Sequence, residues 1–102
     1  MSNPIGSSGS VSVTQDGDIC RVAGTLNFET AGAALAQVQP MIENVSSLTI
    51  DLDGVSNSNS AGLALMIEWL AIGRSSGHDV SFARVPDGLV QLAGVCQVDG
   101  LI

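Results

Sequence analysis

Between Leu48 and Gly77 the chain switches abruptly from one hydrophobic period to another, and this switch constrains the fold more than any other feature. The run Leu48-Thr49-Ile50-Asp51-Leu52 is β-branched and alternating, which reads as a strand. A polar loop, Ser56-Asn57-Ser58-Asn59, follows it. At Ser60 an apolar pattern of helical period begins and runs to Gly77, a residue suited to a helix C′ position. The resulting strand–loop–helix unit sets a serine hydroxyl at a helix N-terminus, among backbone N–H groups that lack intrahelical partners. Such a place suits an anion, and a phosphate carried by Ser60 would be well received there. The same residues also read as a plain N-cap, supplied by Ser60 or by Asn59 before it.

The rest of the chain limits what can surround this unit. With 102 residues it is long enough for one domain with a modest core. Apolar residues make up 45 % and charged residues 13 %, a balance that folds rather than stays disordered. The sequence holds no lysine; Arg21, Arg74 and Arg84 face ten acids, for a formal charge of −7. That charge repels nucleic-acid phosphates and anionic membrane surfaces, and it suits a basic protein surface. Cys20 and Cys96 lie in apolar stretches without metal-ligand spacing, so both are expected as buried free thiols, and no metal or cofactor is implied. The start, MSNPIGSSGS, lacks the basic and apolar regions of a signal peptide, and no stretch approaches the roughly 20 apolar residues of a membrane span. A cytoplasmic protein is expected.

Residues 1–10 are rich in Ser, Gly, Asn and Pro and read as a flexible tail, with one domain over residues 11–102. Val11 and Val13 alternate with polar neighbours in a first strand, and Gln15-Asp16-Gly17-Asp18 reads as a hairpin turn into a second, Ile19 to Leu26. Helical spacing from Glu29 to about Ile42 predicts a first helix, capped by Thr30 or Asn27, with Pro40 placed to kink or end it. The third strand is predicted over Leu48 to Leu52, a second helix from Ser60 to about Ser76, and a fourth strand over Asp79 to Val85. Pro86 opens a third helix as an N1 proline, with Leu89, Leu92 and Ala93 for the core. The apolar end, Val98 to Ile102, is expected to pack back on the domain. The order ββαβαβα predicts an α/β fold: a mixed, mostly parallel sheet of about four strands, flanked by about three helices, with one antiparallel edge pair.

On a helical projection from Ser60, the residues Gly62, Leu65, Met66, Trp69, Ile72 and Gly73 share an arc of roughly 120° to 240°, the core side. The opposite arc carries Ser60, Ala64, Ile67, Ala71 and Arg74, with Leu63 on its border. A solvated face would carry charge; this one is small or apolar, as a protein contact would be. An enzymatic reading fares poorly. Ser60, His78 and Asp51 or Asp53 could be nominated as a hydrolase triad, but Asn59-Ser60-Ala61-Gly62 lacks the nucleophile elbow. His78 lies a helix length, about 25 Å, from Ser60, beyond the reach of a general base. The acidic pairs Asp16/Asp18 and Asp51/Asp53 are too few for an EF-hand, and the phosphate loop's lysine is absent.

The order Asp51, Leu52, Val55, then Asn59-Ser60-Ala61-Gly62-Leu63, resembles the signature of STAS domains, where a strand ends in aspartate and Asp-Ser/Thr-x-Gly-Leu opens a helix. Val22-Ala23-Gly24-Thr25-Leu26 is similar to the family's second strand and His78 to Val85 to its last, so the likeness spans residues 11 to 102. Asn59 departs from the pattern, standing where the family usually has Asp. Gly62 to Leu70, Gly77, Val85-Pro86 and Leu89 to Val95 resemble the branch found in Mla-type phospholipid-transport ABC complexes. The resemblance implies a non-catalytic subunit that binds the ATPase subunit, beside the permease, on the inner face of the inner membrane and supports outer-membrane lipid asymmetry. The docking surface would then include Ser60, Leu63, Ala64, Ile67, Ala71 and Arg74. Its alternative is an anti-anti-sigma factor that binds a kinase-type anti-sigma factor and is released by phosphorylation of Ser60.

Overall fold

A computed structural model describes residues 10–97 and Gly100. The expected tail up to residue 9, and the expected apolar end apart from Gly100, lie outside the described residues. The chain runs as β1 (Val11–Asp16), β2 (Ile19–Leu26), α1 (Ala31–Asn44), β3 (Ser47–Ser58), α2 (Ser60–Ser76), β4 (Asp79–Ala83) and α3 (Asp87–Val95). The four strands lie side by side in chain order. The β1–β2 pair is antiparallel, and β3 runs parallel to both β2 and β4. This is the mixed α/β sheet that the order of elements predicted.

Alternation along β3 shows how the layers form. Leu48, Ile50 and Leu52 are buried against α1 and α2, while Thr49 and Asp53 face away. Cys20, Val22 and Leu26 of β2 join the same core, as do Ala34, Val38 and Ile42 of α1. From α2 come Leu65, Met66 and Trp69, and from α3 Leu89 and Ala93. The helices thus cover one face of the sheet, and the other carries polar side chains.

The close fit of α2 on the sheet depends on Gly73, where a Cβ would lie 2.6 Å from Val80 Cγ2 and 3.1 Å from the His78 carbonyl oxygen. Any larger residue there would force the helix outward. Trp69 packs beneath it at 6.4 Å from the Phe82 ring, with its indole Nε1 buried and without an acceptor among the described residues. Gly77 closes α2 at φ 71°, a left-handed conformation that costs glycine little, and its N–H reaches back to the Arg74 and Gly73 carbonyls.

Several boundaries differ from the sequence reading. β3 extends through the supposed polar loop to Ser58, because Val55, Asn57 and Ser58 pair with Gly24, Thr25 and Leu26 of β2. Backbone pairing holds these residues in a strand, although their side chains carry no apolar alternation to announce it. Pro40 does not end α1, which continues to Asn44. The fourth strand stops at Ala83, since Arg84 turns to φ 53°. Pro86 is the N-cap of α3 rather than its first residue. Cys20 is buried as expected, but Cys96 is exposed, standing just past the last turn of α3. Burial pushes the Cys20 thiol up to about 11.

Candidate functional site

The start of α2 is built by Asn59. Its side-chain Oδ1 accepts the N–H of Ala61 at 2.9 Å, and its carbonyl accepts that of Gly62 at 2.9 Å. Asn59 is therefore the N-cap, with an extended backbone, and Ser60 is the first helical residue, exposed to solvent. The sequence left both open as the cap; the structure assigns the role to Asn59. An aspartate would accept the same bond, so the departure from the family pattern preserves the cap and removes one negative charge beside Ser60.

From this end the exposed stripe runs along α2 as the helical projection predicted. Ser60, Ala64, Ala71 and Arg74 are exposed and Ile67 is half-buried. Leu63, expected on the border of the stripe, is 5 % exposed and belongs to the core. The buried arc of α2 is wider than a sheet alone would make it, because α1 and α3 pack on its two sides. Gly62 is part of that packing: a Cβ there would meet Leu26 and Leu89 at 3.3 and 3.4 Å. Near the far end of α2, Ile67, Ala71 and Arg74 line a shallow depression of about 480 Å³ together with Leu70, His78 and Val80.

The nominated triad does not assemble. His78 follows the C-terminus of α2, where its Nδ1–H donates to the Ile42 carbonyl at 2.7 Å and ties α1 to the start of β4. Asp51 points to the opposite face of the sheet from the core. Among the described residues, no group of three or more His, Cys, Asp or Glu is placed to hold a metal ion. No helix among them is long and apolar enough to cross a membrane.

Sequence reasoning missed what Asp51 does. It is 6 % exposed, because the Arg84 guanidinium lies over it in a two-pronged ion pair. Arg84 also reaches Asp53 at 3.5 Å, and the Asp53 N–H donates to Asp51 Oδ1 at 3.0 Å. The hydrogen bonds from Arg84, then the one from Asp53, hold the Asp51 carboxyl below its usual value. Arg84 reaches this position from a left-handed backbone, an uncommon conformation for a residue other than glycine. Beside it Arg21 pairs with Asp16 at 3.5 Å, and Thr49 bonds Ser81 at 3.3 Å. No local signal announces it: alternation along β3 places Asp51 on the open face, and Arg84 lies beyond the neighbouring strand.

The comparisons agree with this architecture. A family model described as "Mlab, STAS domain" matches residues 10–102. No curated protein matches the sequence. Among solved structures, the chain is similar to the anti-sigma factor antagonist SpoIIAA in its unphosphorylated form, with a TM-score of 0.61 and 11 % identity over 88 % of this chain and 83 % of that one. It is similar also to an anti-sigma factor antagonist from Mycobacterium paratuberculosis, with a TM-score of 0.60 and 20 % identity over 88 % and 81 %. A third is the STAS domain of an antisigma-factor antagonist from Rhodobacter sphaeroides, with a TM-score of 0.59 and 16 % identity over 74 % and 85 %. At these identities the structural likeness speaks for the fold, while the family match spans nearly the whole chain. This chain belongs to the Mlab-type STAS domain family.

Proposed function

We propose that this protein is a docking subunit without chemistry of its own, which binds the ATPase subunit of an Mla-type phospholipid-transport complex through the exposed face of α2. The observation that carries the proposal is the stripe of exposed Ser60, Ala64 and Ala71 with half-buried Ile67 between them, small or apolar on a face that meets solvent. The Mlab-type family match supports the transporter branch, as do Gly62 to Leu70 and Val85-Pro86. The formal charge of −7 suits a basic partner face and speaks against direct binding to anionic lipid. Residues 11–102 would act as one domain, held at the inner face of the inner membrane by the partner.

The second reading, an anti-sigma factor antagonist, draws on the structural neighbours and on Ser60. The hydroxyl is exposed on the first turn of α2, beside a neutral Asn59, where the helix dipole favours added negative charge. A phosphate there would put about two charges into an apolar interface and disrupt it. Both readings use one surface and differ in the partner. Affinity purification of a tagged copy from its native cell separates them. Recovery of an ATP-binding cassette subunit with a membrane permease is the expected result. Recovery of a kinase-type anti-sigma factor instead would replace the first reading with the second.

A further inference from the structure

The three arginines of the chain are not used alike. Arg21 pairs with Asp16, and Arg84 with Asp51 and Asp53, all on the open face of the sheet. Arg74, exposed in the last turn of α2, makes no ion pair among the described residues. Its place suits the helix dipole, which favours a cation at that end. Asp79, the first residue of β4, is equally exposed, and its carboxylate has neither an ion pair nor a hydrogen bond among the described residues.

Both charges line the depression of about 480 Å³ at the far end of α2, yet they do not pair with each other. Between them lie apolar side chains: Ile67, Leu70 and Val80, each half-buried, and the exposed Ala71. His78, also on the wall, is held by its bond to the Ile42 carbonyl. β4 is the last strand of the sheet, so no further strand covers this corner.

An apolar patch that carries one free cation and one free acid, set apart, is complementary to itself. A two-fold axis through the depression would place Arg74 of each copy against Asp79 of the other, with the apolar side chains between. An acidic segment of another protein would satisfy Arg74 but face a like charge at Asp79, and a basic segment would do the reverse.

We propose that two copies of this chain associate through this depression, in a two-fold contact with reciprocal Arg74–Asp79 ion pairs. Ile67 and Ala71 belong also to the stripe by which α2 is proposed to dock, so the paired form and the docked form exclude each other. Ile67, Leu70, Ala71, Arg74, Asp79 and Val80 are far fewer than the roughly 20 to 30 residues a side of a lasting interface, so the contact is reversible. The charge of −7 on each copy opposes association, but at physiological ionic strength that repulsion is screened beyond about 8 Å.

The mass of the purified full chain is measured by sedimentation equilibrium at physiological ionic strength, from about 10 μM to about 1 mM, where weak association shows. Thermal melts check that each variant folds. The wild-type mass is expected to rise toward that of a dimer. Arg74→Asp and Asp79→Arg are each expected to associate about tenfold or more weakly, because a two-fold contact counts every substitution twice. The double variant, with the charges exchanged, is expected to recover association. Mixing the two single variants is expected to give a heterodimer, since Arg74→Asp then offers two acids to the two cations of Asp79→Arg. A wild type that stays monomeric to about 1 mM overturns the proposal and leaves the docking reading standing. Single variants that associate like wild type, or a folded double variant that does not recover, overturn it as well. A monomeric wild type whose melting temperature falls with Arg74→Asp would give the depression instead to the chain's own end, whose Gly100 also lines it.

Discussion

The two faces of this domain are both in contact with solvent, yet they treat polar groups in opposite ways. On the open side of the sheet, Asp51, Asp53 and Arg84 satisfy one another, Arg21 pairs with Asp16, and Thr49 with Ser81. On the helical side, the exposed residues of α2 between Ser60 and Arg74 are mostly small or apolar. A face whose charges are matched internally has little to offer a partner, since docking there would desolvate ion pairs already made. A face of small apolar residues loses little on being covered and gains by excluding water. Under the proposed function, the contrast divides the domain into one side that serves stability and one that serves recognition.

The assignment can be broken most forcefully at Ile67. Replacing it with aspartate would bury an unpaired carboxylate in the interface, a penalty of several kcal/mol. Loss of binding in a protein that still folds is expected, with a lowered melting temperature because Ile67 also packs against the core; a pull-down that survives in a folded Ile67→Asp protein would show that α2 has been given the wrong role. Next in size is Ser60. Ser60→Asp should weaken partner binding by about tenfold or more, with Ser60→Ala close to wild type, as read by calorimetry. Equal effects from the two would reduce Ser60 to a structural residue.

On the sheet face the expected effects are on stability alone. The Asp51 carboxyl is held below its usual value, so its contribution is complete above the unfolded value, about 3.9, and is lost as pH falls through the folded value. Asp51→Asn should therefore flatten the fall of melting temperature on acidification while leaving partner affinity unchanged. An affinity that drops with Asp51→Asn would erase the contrast between the faces. The smallest effect belongs to the cap: Asn59→Ala should cost about 1 kcal/mol in chemical denaturation, more than Ser60→Ala, because Asn59 makes the capping bond.

How far the sequence carried the account differs between these faces for physical reasons. The buried arc of α2 was legible because helical period maps directly onto burial, and only Leu63 crossed over, drawn inward where the flanking helices widen the arc. The order of elements was legible because helical crossovers leave a parallel sheet few arrangements. The length of β3 was not, since residues past Leu52 are held by main-chain bonds to β2 that any side chain permits. The Asp51–Arg84 pair joins β3 to the turn after β4 and depends on a left-handed backbone at Arg84, which no local pattern announces. The exposed Phe28 was equally hidden, because an aromatic before a helix reads as core until the turn that points it outward is seen.

The central claim, that partners dock on the helical face and not on the sheet, is tested most directly by paired thiol protection. In a Cys96→Ser background, with Cys20 buried and its thiol raised to about 11, a single new cysteine reports its own exposure. Ala64→Cys marks α2, and Ser81→Cys marks the open sheet; both positions are exposed in the free protein. With the co-purifying partner bound, maleimide labelling at position 64 is expected to slow by about tenfold or more while labelling at position 81 keeps its rate. Protection at 81 with free labelling at 64 would contradict the account.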